Sequence, residues 1–155
     1  MRNFVLCAAV AALSFPALGQ PSKDAEVFSS ANVATQFSGL AADAKSKGSG
    51  GATLGDYGSH AIKLSLRAKS GGAEIHEHFD DIFFVTGGKA TLITGGTVQN
   101  PKTKDGGETQ GTAIEGGRTH AVAKGDVVHV PAGTPHQLIL APGEQFSAVV
   151  VKVKE

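Results

Sequence analysis

From His60 onward, apolar residues fall on alternate positions in short runs that glycines interrupt. Ile62, Leu64, Leu66 and Ala68 alternate with Lys63, Ser65, Arg67 and Lys69, and a period of two fits a strand with one buried face. Further strands are predicted at 73–78, 81–86, 89–94, 112–114, 119–123, 126–130, 136–140 and 146–153. Gly-Gly, Pro-Ala-Gly and Ala-Pro-Gly punctuation separates several of them. Many short strands with tight turns imply an all-β sandwich or barrel. The polar stretch 100–111 has no apolar period and reads as a mobile surface excursion. The last strand, FSAVVVKVK, would invite aggregation as a free edge, so it is expected to be covered.

The N-terminal part differs. Arg2 precedes an apolar run from Phe4 to Phe15, and Ala17-Leu18-Gly19 supplies small residues for cleavage. This pattern matches a secretory signal peptide over residues 1–19, which implies an exported protein, periplasmic or secreted. The only cysteine, Cys7, lies inside that segment, so the mature chain would have no disulfide and no thiolate ligand. Residues 20–57 are expected to hold a linker and a short α-helix from about Ala31 to Lys45, capped by Ser30. Val33, Phe37, Leu40, Ala41 and Ala44 mark its apolar face. The glycine-rich stretch 45–58 reads as a flexible loop before a barrel domain at 58–155. Formal net charge is zero and no basic run is present, which argues against a nucleic-acid partner.

Chemistry concentrates in EIHEHFDD, residues 74–81. On a strand, His76 and His78 share a face, and Glu74 shares it with them. Asp81 starts a row that continues with the apolar Phe83 and Val85. It should therefore face inward, where a carboxylate needs a partner or a metal. Asp80 has the opposite parity and should be solvated. His136 heads a similar row with Leu138 and Leu140. Phe83, Phe84 and Phe146 are assigned to the core. His129 should lie outside the barrel or at a subunit contact, and His60 carries no assignment.

These residues resemble the two motifs of the cupins. Gly125, Pro131, Gly133 and His136 match G(x)5PxGxxH(x)3N, with Leu140 in place of the asparagine. Gly71 or Gly72, His76, His78, Asp81 and Gly88 align with G(x)5HxH(x)3–4E(x)6G. In the second alignment Asp replaces Glu, and the gap after His78 is short. The resemblance covers roughly 62–153. It implies a double-stranded β-helix (jelly-roll) barrel, with a divalent transition metal (Fe, Mn, Ni, Cu or Zn) held by His76, His78, Asp81 and His136. Asp81 would bind it directly, through water, or by holding a histidine. Glu74 or His120 is a candidate proton carrier, and His120 could equally lie at the surface. The resemblance further implies a homodimer. The functional expectation is a metalloenzyme acting on a small oxygenated organic substrate: a dioxygenase, isomerase, decarboxylase or lyase. The alternative is a non-catalytic metal- or small-molecule-binding module. The apolar inward rows predict a small, mostly apolar cavity.

Overall fold

The computed structural model describes residues 24–155; the proposed signal segment lies outside them. One helix, α1 (Ser30–Lys47), precedes twelve strands: β1 (Ser49–Asp56), β2 (His60–Arg67), β3 (Ala73–His76), β4 (Phe79–Thr94), β5 (Thr97–Gln99), β6 (Lys102–Lys104), β7 (Glu108–Gly111), β8 (Ala113–Glu115), β9 (Arg118–Ala123), β10 (Val127–Val130), β11 (His136–Ile139) and β12 (Phe146–Lys154). The fold is all-β apart from α1. No described helix is long and apolar enough to cross a membrane.

Ser29 rather than Ser30 caps the helix, because its side chain accepts from the Asn32 amide three residues on. Gly48, with φ 93°, closes the C-terminus and donates to the Ala44 carbonyl. The loop expected after α1 is instead β1, which pairs with β2 from Ser49 to Asp56. Glycine is there for contact: a Cβ on Gly50 would stand 2.8 Å from the Leu40 carbonyl oxygen. The helix thus lies directly on β1.

Strand β4 is one long strand where two were expected. Its first half pairs with β10 and β12, its second half with β9 and β11. The change of partners falls at Gly87-Gly88, where the register against β12 shifts. Gly88 has φ 72°, and a Cβ there would overlap the Gln145 carbonyl oxygen. Only glycine fits this corner. The sheet therefore curls, with β1, β2, β12, early β4 and β10 on one side, and late β4, β9, β11, β3, β7 and β6 on the other.

Between the two sides lies a core of Phe83, Val85, Leu92, Val122, Val130, Leu138, Leu140, Phe146, Ala148 and Val150. Phe84 has the opposite parity to Phe83 and stands outside, 45% exposed beside exposed Val127. Strand β12 is no edge, since β2 and β4 flank it. Stretch 100–111 is ordered as the hairpin β6–β7, paired to β3.

The register also inverts the expected faces of β2. Lys63 pairs with Val150, Ser65 with Ala148 and Arg67 with Phe146, and all three partners belong to the core. The polar row of β2 therefore faces the barrel interior. Leu64 is buried but belongs to the other face, where β1 and β2 pack against α1. The alternation marked two faces correctly, but α1 supplied a second apolar layer that reversed which one is inside.

Candidate metal centre

Strand β3 ends at His76, and Glu77-His78 form the turn to β4. This overturns the expected pairing of His76 with His78. Alternation stops where the strand stops, and His78 sits exposed in the turn. The residues that meet are Glu74, His76 and His136. One ligand atom from each lies within 4.8 Å of the others. Strand pairing sets Glu74 opposite His136 and His76 opposite Glu108. A shift of the first motif by two residues accounts for this. Glu74 and His76 then take the places of the two motif histidines, and four residues, 77–80, separate His76 from Asp81. The short gap disappears.

Both imidazoles are fixed through Nδ1. His76 Nδ1 donates to Glu108 Oε2 at 2.5 Å, and His136 Nδ1 donates to the Thr134 carbonyl at 3.0 Å. Their Nε2 atoms approach the same carboxylate oxygen, Asp81 Oδ2, at 3.3 and 3.8 Å. Asp81 and His136 are each only 4% exposed. The other oxygen of Asp81 accepts from Lys152 Nζ at 2.6 Å. Asp81 thus faces inward as its parity requires, and in this structure its partners are a lysine and two histidines.

The protonation preferences follow. Burial alone would raise the Asp81 pKa, but hydrogen bonds and charge from His76 and Lys152 outweigh it and hold the carboxyl below its usual range. Burial and the nearby Lys152 charge lower His76, yet Asp81 and Glu108 outweigh them and leave its pKa raised. As an imidazolium, His76 donates from Nδ1 to Glu108 and from Nε2 to Asp81. Burial dominates at His136 and pushes it down, towards the neutral form.

The convergence of His76 Nε2 and His136 Nε2 on one point is a geometry that a metal ion would fit. Nitrogen donors with Nδ1 tied to a carboxylate or carbonyl are the arrangement that orients histidines towards an ion. Two imidazoles and a carboxylate form a hard-to-borderline donor set suited to Fe, Mn, Ni, Cu or Zn. The residues fit; Glu74, His76 and His136 would hold the ion, with Asp81 beside them.

Glu108 was missed in the sequence because its hairpin looked like an excursion. The Asp105-Gly106-Gly107 turn between two threonine-bearing runs was the available signal. Lys152 was missed as the strand's polar end. His120 does not join the centre: it is exposed, bonds Thr94 Oγ1 at 3.1 Å and lines a separate cleft with Val127, Val128 and Thr134. Asp80 is not simply solvated. It accepts from the Ala132 amide at 2.7 Å and from His129 Nε2 at 3.0 Å, tying the 131–133 turn to β4. His129 is exposed, as its parity requires.

The centre opens into a cavity of about 400 Å³, which Lys63, Ser65, Arg67, Glu74, Phe83, Gln137 and Lys152 help to line. Its wall is mainly apolar, as expected, and β2 adds polar side chains to it.

No family model matches the sequence, and no curated protein matches it. Solved structures do. The cupin domain of Schizosaccharomyces pombe Cnp3 aligns over 69% of this chain and 61% of its own length, at 14% identity and TM-score 0.52. The chain has the cupin fold. A predicted oxalate decarboxylase from Thermotoga maritima aligns over 69% of this chain and 81% of its own, at 13% identity and TM-score 0.50. The DMSP lyase DddQ from Ruegeria pomeroyi aligns over 69% and 47%, at 18% identity and TM-score 0.50. The chain spans less than two thirds of the length of two of these three. At such identities the likeness concerns the fold.

Proposed function

We propose that this cupin chain binds a divalent transition metal through Glu74, His76 and His136, and acts as an exported metalloenzyme on a small oxygenated organic compound. The observation that carries the proposal is the pair of imidazoles with Nδ1 engaged and Nε2 turned to one point. A bound metal would supply Lewis-acid or, if redox-active, dioxygen chemistry. The chain's own residues do the rest. Glu108 and Thr134 keep the imidazoles in one orientation. Phe83, Val150 and Leu138 restrict water on one wall. Glu74 stands where it could also carry a proton. Export rests on the apolar N-terminal run, and the exposed Phe84–Val127 pair supports a homodimer.

The second reading, a non-catalytic binding module, is favoured by the Lys152–Asp81 pair. It occupies a carboxylate that could otherwise serve as a base. Metal analysis of untagged protein, followed by oxygen-uptake and product assays with catechols, flavonols and small oxo-acids, separates the two. Stoichiometric metal with turnover supports the enzyme; metal without turnover supports the module. Absence of metal binding, or binding that survives His136→Ala, defeats the enzyme and leaves only a module that binds a small molecule without metal.

A further inference from the structure

The interior row of β2 gives the cavity a second chemistry. Arg67 reaches the cavity from β2, opposite core residue Phe146. Its guanidinium lies against the backbone of Gly71. A Cβ on Gly71 would stand 2.6 Å from Arg67 Nη1, so glycine leaves the space that the guanidinium uses. Gly71 is itself pinned: its amide donates to the Leu138 carbonyl at 2.9 Å, and its carbonyl accepts from Gln137 Nε2 at 2.9 Å. The ionic contact of Arg67 is Glu74 Oε1, at 4.0 Å, too long for a hydrogen bond. A part-buried guanidinium normally satisfies its fork of donors with a carboxylate or phosphate. Lys63, four strand positions nearer Lys152 than Arg67 is, also lines the cavity and has no ion-pair partner among the described residues. Lys152 is different, since Asp81 already holds it.

The lining charges reinforce the point. Lys63, Arg67 and Lys152 balance Glu74, Asp81 and Glu108. Any divalent ion on Glu74, His76 and His136 would leave the cavity positive, and would draw Glu74 away from Arg67.

We infer that the cavity binds a small carboxylate anion, with Arg67 and Lys63 as its anchors. The inference deepens the proposed function by naming a substrate class, and its anchors work with or without a metal. The carboxylate accepts two hydrogen bonds from the Arg67 fork, and Lys63 neutralises it from the cavity mouth. Phe83, Leu138 and Val150 then face the carbon skeleton.

Malonate, with malonamide as the uncharged comparison, tests this by calorimetric titration of chelator-treated and metal-loaded full-length protein. Malonate is expected to bind both forms, more weakly as salt rises, and malonamide neither. Arg67→Gln should weaken malonate by at least about tenfold, the loss of one charge-assisted hydrogen bond. Gly71→Ala, which displaces the guanidinium but keeps its charge, should weaken it as well. Lys63→Gln is exposed, cannot endanger the fold and should give a smaller loss. Equal binding of malonate and malonamide, or malonate binding that Lys63→Gln and Gly71→Ala leave unchanged, would overturn the inference. A protein that binds malonate but no metal would sustain it while defeating the proposed function.

Discussion

The two ends of the barrel interior are built by the same strands and differ in everything else. On β4 the inward row runs Asp81, Phe83, Val85; on β11 and the residue just after it the row runs His136, Leu138, Leu140; on β12 it runs Lys152, Val150, Ala148, Phe146. Each row begins with an ionisable residue and continues with apolar ones. Phe146 and Ala148 are 1% and 0% exposed, so the apolar rows supply hydrophobic stabilisation there. The polar end buries Asp81 almost as deeply, and a buried charge is costly unless it is paired. One end holds the fold together, and the other is tolerable only because its charges meet one another.

The sharpest way to break this contrast is at the apolar end. Phe146→Ala should destabilise the protein by about 3–5 kcal/mol, read from urea unfolding. The metal affinity of the molecules that remain folded should not change. If metal binding fails along with stability, the two ends are not separable.

At the polar end, Lys152→Met leaves Asp81 without its closest partner. Breaking a buried pair costs about 3–5 kcal/mol. The Lys152 side chain keeps 17% exposure, so a loss of about 2–3 kcal/mol is expected in chelator-treated protein. Adding Asp81→Asn should restore most of it. A double variant no better than the single one would show that Lys152 acts through packing instead.

Smaller effects sharpen the picture of the centre itself. Glu108→Gln should weaken metal binding by about 10–100-fold with little change in folding, because it disturbs only the orientation of His76. His78→Ala should leave metal affinity where it was, as measured by competition with a chromogenic chelator. A loss with His78→Ala as large as with His136→Ala would restore the unshifted motif alignment.

The smallest effect concerns pH. Hydrogen bonds from His129 and the Ala132 amide lower the Asp80 pKa, so its folded value lies below the unfolded value of about 3.9. Its contribution is therefore fully present above the unfolded value and lost as pH falls through the folded one. Asp80→Asn should lower the melting temperature slightly near neutrality and flatten its acid limb, so that variant and parent converge at low pH.

Much of this was legible in the sequence. The period of two gave the all-β fold, and the inward parity of Asp81 and His136 placed both correctly. Spacing could not show where β3 stops, because EIHEH alternates acceptably through both histidines. A turn after His76 is decided by the pairing of β3 with β7 and by the glycine at 107, whose added Cβ would meet Glu77 at 2.7 Å. Nor could alternation say which face of β2 is interior. Both rows are plausible until α1 is seen to cover one. Glu108 and Lys152 come from distant parts of the chain and meet the centre only through cross-strand pairing with His76 and Asp81.

The hairpin β6–β7 lies at one extreme of the curled sheet, bonded on one side to β3. Its removal or replacement would leave the remaining ladders intact, yet Glu108 goes with it. Chemistry at the centre could thus be retuned by exchanging ten or so residues at the rim, while the scaffold that carries them stays as it is.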